Sequence, residues 1–542
     1  MRWSGRALLA IASAAIGLGT GADAQQSTMV LGVQTHFAQG WPIILLDKVA
    51  QVSAPSVRDD FGWGAGEPKR GSYDFSRAKY LSATCRAGKD ISLIISPTNP
   101  LYDGGKFART PESQRAFAVF VGKVVDRFPC IAGIEVGNEI NGKGWYSGGT
   151  EAELAISYVS LLRLLSSEIK ARHPDVAVLG GSTNVIGTGF LETLFVAGML
   201  DVVDGVVVHP YRAHAEGLDI ELSGLRDAMK RHGPVKPIWA TEFGNYFDTP
   251  ELAPPHLIKM VAMMSADGVQ RAYWYVLVDE PYFKNMGLFK GDIPKPAAPA
   301  FKAAEALLAQ GSAVRVDVGD KKTFVYRFGA KTYVMWGAPR PVTFDAGARV
   351  RSARDMPIAG SVFLGDDPVI ATNVSSYKLD VPSVVVADNM LEFGEKPWSY
   401  YVRKADGSLV PLRWTDWRWT SRYTTPSFHE FAINPPGGVV TPYAGAWAVQ
   451  RYTSPVAQNV NVGGCLIKPA GGDGLKVEIS QDKRILFSGI LSGGKLVLPP
   501  VATTLAAGGV IDFAFSAVGN HGGNRVSPRL LISRGEIPPV CM

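Results

Sequence analysis

The amino-acid sequence predicts an α/β chain, a (β/α)8 TIM barrel followed by C-terminal β-sandwich domains. Three observations predict it. Between Met29 and about Ala309, eight short apolar runs alternate with longer amphipathic stretches of helical period. Two of those runs end in a glutamate, Glu139 and Glu242, at the strand end where barrel loops surround a concave mouth. After Leu308 the period changes from helical to two, with turn residues between short runs and frequent proline. At 542 residues the chain is too long for one ordinary core, and 46% hydrophobic with 19% charged residues is a globular composition.

Taken in order, the chain opens on a targeting pattern. Arg2 and Arg6 precede an apolar run over residues 7–18, and Ala22-Asp23-Ala24 offers small residues for cleavage. Residues 1–24 are therefore expected to be a signal peptide, and the protein to be secreted or periplasmic. The run is too short to cross a bilayer, and no later stretch reads as a membrane span. Strands are expected at residues 30–34, 56–58, 91–95, 131–136, 176–179, 205–208, 238–241 and 272–277. Helices are clearest at 111–128, 151–172 and 254–266; Pro111 suits a helix start, where its missing N–H has no partner to lose. A doubly wound sheet would need a Gly-rich phosphate turn after its first strand, and Thr35-His36-Phe37-Ala38-Gln39-Gly40-Trp41 is not one. A last helix over 300–308 closes the barrel pattern. The expected division is a barrel over 25–311, a small β-sandwich over 312–389, and a jelly-roll-like β-sandwich over 390–542. Within the last, Trp414, Trp417 and Trp419 share no strict alternation, which suits mixed core and interdomain packing.

The net charge of +6 comes from scattered basic residues, with no Lys/Arg block or aromatic-basic repeat, so nucleic acid is not an expected partner. Four cysteines in an exported chain point to disulfides. Cys85 and Cys130 each precede an apolar strand, at the end of the barrel remote from its loops, and are expected to pair; Cys465 and Cys541 lie together in the C-terminal region and form the second expected pair. No Cys-x-x-Cys pair or His cluster has metal spacing, so neither a metal nor a cofactor is expected.

On the strand count, Glu139 closes strand four and Glu242 strand seven. Polar or aromatic residues hold matching places: His36 after strand one, Arg58 at strand two, His209 and Tyr211 after strand six, and Trp274 in strand eight. A barrel needs nothing polar there for stability, so several strands ending alike point to a site. These residues resemble a clan A glycoside hydrolase. Asn138-Glu139 is similar to that clan's strand-four acid/base motif, and Glu242 in Thr-Glu-Phe-Gly to its strand-seven nucleophile. Trp63-Gly-Ala-Gly-Glu67-Pro68, His209-Pro-Tyr211-Arg212, Gly287-Leu-Phe289 and Lys295-Pro-Ala add to the likeness, which is nearest to glycoside hydrolase family 39 and its exopolysaccharide-associated bacterial relatives. Ile140 departs from the pattern, standing where many clan members have proline.

The resemblance implies a retaining double displacement, with Glu242 attacking the anomeric carbon and Glu139 serving as acid and then base. It casts Arg58 and Tyr211 as the groups that keep Glu242 ionised, and Asn138 as a donor to the sugar 2-hydroxyl. Trp145 and Trp274 offer apolar faces for a sugar ring, and His36, His209 and Tyr282 complete the expected substrate contacts. An exported barrel with β-rich appendages suits a polysaccharide substrate, cut internally along a groove by Trp63, Tyr102, Tyr275, Tyr282 and Phe283. The chain is expected to act as a monomer. Competing readings are an exo-acting, β-xylosidase-like glycosidase and a non-catalytic carbohydrate-binding protein on a retired barrel.

Overall fold

The apolar runs become eight strands: β1 (Val30–Gln34), β2 (Ser56–Asp60), β3 (Asp90–Ile95), β4 (Ile131–Val136), β5 (Ala177–Asn184), β6 (Gly205–His209), β7 (Ile238–Phe243) and β8 (Val269–Trp274). This computed structural model describes residues 28–145, 149–283, 285–425, 432–440, 445–519 and 524–541. The expected signal peptide, residues 1–24, lies outside the described residues. The strands are parallel, follow one another in chain order, and close where β8 pairs with β1. Helices cover the outer face, so the strands are buried on both sides and carry near-continuous apolar runs.

Local sequence sets the helix starts. Thr110 caps Pro111–Arg127 by accepting from the Ser113 N–H at 3.2 Å. Thr150 and Glu153 form a reciprocal capping box on Glu151–Lys170, at 3.2 and 2.7 Å. Two C-terminal strand ends differ from expectation by three residues or more. β5 runs on to Asn184, through the polar stretch Ser182-Thr183-Asn184 that masks it in a hydrophobicity pattern. β8 ends at Trp274, and residues 275–277 belong to the loop beyond it.

One layer inside the barrel is apolar. Leu179, Val207, Trp239 and Tyr273 fill it, all at 3% exposure or less. Small neighbours make the room: a Cβ on Gly32 would sit 2.4 Å from the Tyr273 ring, and one on Gly133 3.0 Å from the Trp239 ring. Nearer the C-terminal ends of the strands the filling becomes ionic, with Arg58 and Glu135 buried together. This change of layer places a charged floor beneath the mouth.

Beyond the helix Ala297–Leu308 the chain is β-structured. A five-stranded and a three-stranded sheet enclose a small core that includes Val325, Met335 and Val342. An eight-stranded and a six-stranded sheet follow, around a core that includes Trp398, Tyr452, Phe513 and Phe515. Val385–Asp388, which the expected division places in the small β-sandwich, pairs with Arg525–Ser533 of the last sandwich. Trp414 packs edge-on against Tyr423, whereas the Trp417 carbonyl accepts from the Gly189 N–H of the barrel at 3.0 Å. Disulfides join Cys85 to Cys130 and Cys465 to Cys541, with Cα–Cα separations of 5.2 and 5.3 Å. Among the described residues no helix is long and apolar enough to cross a membrane.

Candidate active site

At the C-terminal mouth of the barrel lies a cleft of about 720 Å³. Its floor is built on Arg58, which is 0% exposed and whose guanidinium reaches five neighbouring side chains, His209 among them with its Nε2 3.4 Å from Nη2. It holds Glu135 bidentately, Nε and Nη2 each at 2.8 Å. Nη1 donates to Gln34 Oε1 at 2.6 Å and to Glu242 Oε1 at 2.5 Å. Nη2 also donates to Asn138 Oδ1 at 2.9 Å. Burial alone would favour loss of the Arg58 proton, but the Glu135 and Glu242 charges outweigh it and hold the guanidinium more firmly charged than usual.

Glu242 lies in β7, facing the cleft. Its Oε2 accepts from the Tyr211 hydroxyl at 2.6 Å, so both carboxylate oxygens are engaged. Burial pushes its pKa up, but the His209 and Arg58 charges and the Tyr211 bond push harder, leaving it below the usual carboxylate value. Tyr211, whose own pKa rises through burial and the Glu242 charge, remains a neutral donor.

Glu139 lies three residues past β4 with φ 49, a left-handed backbone position that a glutamate adopts only when its surroundings hold it. They do so through neighbouring strand ends. The Ile140 N–H donates to the Ser182 carbonyl at 3.0 Å, a bond that proline at 140 could not make. The Asn141 side chain brackets Asn184, accepting from its N–H at 3.0 Å and donating to its carbonyl at 3.1 Å. Asn184 Nδ2 in turn donates to Glu139 Oε1 at 2.8 Å. Gly137 has φ 80, and a Cβ there would meet Ile140 at 2.7 Å.

His209 lies behind both carboxylates, its Nδ1 3.3 Å from Glu139 Oε1 and 3.7 Å from Glu242 Oε2. Burial opposes its charge, yet Glu242, Glu135 and Glu139 raise its pKa to about 9, so at neutral pH it is a cation between acids. Glu139, His209 and Glu242 bring ligand-type atoms within 4.8 Å of one another, a spacing that could hold a metal ion. A protonated imidazole offers donors rather than a lone pair, which favours hydrogen bonding over coordination.

The expected site residues divide into two groups. His36, Arg58, Asn138, Glu139, Tyr211 and Glu242 line the cleft. His36 stands edge-on to Trp41 and Tyr275; its Nε2 lies 3.4 Å from Glu280 Oε1, and neither ring nitrogen makes a well-aligned hydrogen bond among the described residues. The other four lie elsewhere. His209 is fully buried beneath the carboxylates and takes the part of a charge partner. Trp274 is also fully buried; its indole donates to the Met286 carbonyl at 2.9 Å, and its ring stacks on Phe247. Trp145 braces its own loop, donating to the Asn138 carbonyl at 3.1 Å. Tyr282 is 87% exposed on the loop after β8, outside the cleft lining. Trp63 and Tyr102 are core as well: they stack at 4.9 Å, and both donate to buried Glu67, at 2.6 and 2.9 Å. The Trp63–Glu67 motif is thus a loop staple, whereas Tyr275 and Phe283 do line the cleft.

Sequence reasoning passed over Gln34, Asp60, Glu135 and Asn184. Gln34, Asp60 and Asn184 end β1, β2 and β5; Gln34 already closed the expected first strand, and the strand-end rule finds the other two once the strand limits are correct. Glu135 carried its own signal, a carboxylate inside an apolar strand.

No family model and no curated protein sequence matches the chain. In fold it is similar to a family 39 glycoside hydrolase from the gut symbiont Bacteroides cellulosilyticus WH2, over 64% of this chain and 81% of that one, with 18% identity and a TM-score of 0.55. It is also similar to a GH39 β-xylosidase from Caulobacter crescentus (64% and 96% covered, 16% identity, TM-score 0.48). A GH39 enzyme from Xanthomonas axonopodis pv. citri is similar over 91% of this chain and 94% of its own, at 13% identity and a TM-score of 0.45. Over the matched 64% the chain therefore shares the fold of the Bacteroides enzyme, and its own architecture is a TIM barrel followed by β-sandwich domains.

Proposed function

We propose that the protein is a retaining glycoside hydrolase, exported from the cell, that cuts a polysaccharide internally by double displacement. The observation that carries the reading is the carboxylate pair: Glu139 and Glu242 oxygens lie within 4.8 Å of one another across a cleft. Retaining glycosidases hold their two carboxyl groups about 5–5.5 Å apart, whereas inverting enzymes need about 6.5–9.5 Å to admit a water. In the first step Glu242 attacks the anomeric carbon as Glu139 gives its proton to the departing glycosidic oxygen. In the second, Glu139 takes a proton from water as that water displaces Glu242 from the glycosyl ester. Arg58 and Tyr211 keep Glu242 anionic and aimed. Asn138 accepts from Arg58 through Oδ1, which leaves its amide nitrogen to face a sugar hydroxyl. Two carboxylates facing one cleft beside a buried ionic floor speak against a binding-only barrel. Two disulfides suit an oxidising compartment.

The test is a pair of substitutions. Glu242→Ala should abolish turnover, and a 2-fluoro glycoside of the right sugar should label Glu242. Glu139→Ala should cost about 10²–10⁴-fold on natural linkages and spare dinitrophenyl glycosides, whose leaving group needs no proton. Equal losses on both substrate types would remove Glu139 from the role. Internal cutting predicts mixed oligosaccharides and an early fall in viscosity; release of monosaccharide alone would make the enzyme exo-acting.

A further inference from the structure

A second cavity, of about 540 Å³, lies between the barrel and the β-sandwiches. The loops after β6 and β7 form one side of it. Asp366, Asn434, Ile467 and Arg529 form part of the other. Tyr211, Asn245 and Tyr246 line both this cavity and the catalytic cleft, so the two share a wall.

The cavity carries buried polar atoms with nothing to bond. Glu216 is 1% exposed; its Oε1 accepts from Lys259 at 2.8 Å and Trp336 at 2.9 Å, but Oε2 has no partner among the described residues. His256, 6% exposed, has an unpartnered Nε2, and Asn434 an unpartnered Oδ1. Burial lowers the His256 pKa to about 3, so its ring is neutral. Unpaired buried acceptors are costly unless a ligand or water supplies donors.

The cations here are already engaged. Arg212 holds Glu221 at 2.6 Å, Lys259 holds Glu216, and Arg529 holds Asp388 at 2.9 Å. Carboxylates outnumber cations along the wall: Glu216, Glu221, Asp248, Asp366 and Asp367 against Arg212, Lys259 and Arg529. An anionic occupant is therefore disfavoured and a neutral hydroxyl donor favoured. Apolar surface is present too, on Tyr246 at 60% exposure, Leu252 at 46% and Ile467 at 42%. Aromatic and aliphatic faces beside a few fixed acceptors suit the C–H faces and hydroxyls of a sugar ring.

We propose that this interdomain cavity is a second saccharide site that holds the continuation of the chain bound in the cleft, takes neutral sugars, and uses Tyr246 as the sill between the two. It rests on the glycosidase reading above and gives the β-sandwiches a part in choosing the substrate. Glu216 and Asn434 accept from sugar hydroxyls.

Calorimetric titration of the full chain carrying Glu242→Gln tests it, with xylo-, cello- and manno-oligosaccharides from disaccharide to hexasaccharide and with oligogalacturonides as the anionic series. Affinity for a neutral series should rise at least about tenfold at the length that crosses Tyr246. Ser527→Trp, at an exposed strand position on the cavity wall, fills the space without removing a bond described here. It should flatten that rise and leave the melting temperature and the turnover of aryl monoglycosides unchanged. Asn434→Leu should reduce the rise by a smaller factor. A rise that survives Ser527→Trp, no rise with length, no binding of any neutral series, or preference for the anionic series would each overturn the proposal. Failure of the wild-type protein to cleave any glycoside would instead overturn the glycosidase reading, and the titrations would still report on the cavity.

Discussion

His209 and His36, both in electrostatic reach of Glu242, are pushed in opposite directions. His209 sits among acids and has its pKa raised to about 9 against burial, whereas His36 is lowered to about 4, chiefly by burial. A histidine raised on folding stabilises fully below its unfolded value near 6.5 and loses that contribution as pH climbs through the folded value. The His209 contribution should therefore fade between about pH 6.5 and 9, and turnover should fall over the upper part of that range as the cation beside Glu242 disappears. His36 has the opposite sign: the unfolded chain takes up its proton first, so stability falls as pH drops from about 6.5 to about 4, by roughly 3 kcal/mol in all. His256, lowered to about 3 by burial, extends the same decline. Melting temperatures across pH 3 to 10 should thus pass through a maximum near neutrality. A melting temperature that stays flat below pH 6 would contradict the neutral, buried state of both rings.

At the scale of elements, the acid/base candidate depends on a loop that the barrel alone does not hold. Arg418, from the last sandwich, donates to the Asn141 carbonyl at 2.6 Å and to Glu151 at 2.7 Å. Asn141 brackets Asn184, and Asn184 holds Glu139. Arg418→Ala should cost roughly 2 kcal/mol of stability through these two charged hydrogen bonds. It should also slow natural substrates about 10- to 100-fold by displacing Glu139, while dinitrophenyl glycosides fall far less. Similar losses on both substrates would mean that Arg418 serves only to hold the domains together.

Over the whole molecule, the two disulfides close segments of very different kinds. Cys85–Cys130 spans 45 residues at the foot of the barrel, where it ties the helix Lys79–Arg86 to the entry of β4. Cys465–Cys541 spans 76 residues and ties a long sandwich strand to the last described residue, beside the interdomain cavity. Loop-closure entropy puts each at about 3–5 kcal/mol, less whatever structure the unfolded chain retains. Cys85→Ala with Cys130→Ala should lower the melting temperature of the barrel with little change in the sandwich transition, and Cys465→Ala with Cys541→Ala the reverse. Non-reducing peptide maps should show these two linked pairs and no exchange between them.

Sequence alone determined the features that local periodicity and composition carry: eight strands in order, the change to β structure after Leu308, and the two strand-end glutamates. The Cys85–Cys130 pair followed from strand order, since neighbouring parallel strands bring their starts together, and Cys465–Cys541 from the shared C-terminal region. Tertiary structure decided whatever depends on partners distant in the chain. Arg58 meets Glu242 across 184 residues and Glu135 across 77, and no pattern in a short window records either contact. The aromatics show the same division. Tyr275 and Trp274 are neighbours that read alike in sequence, yet one lines the cleft and the other is buried against Phe247, because successive residues at a strand end turn to opposite sides. The ionic floor, the left-handed Glu139 and the cavity between barrel and sandwiches exist only once burial has removed water and forced each charge to find a partner.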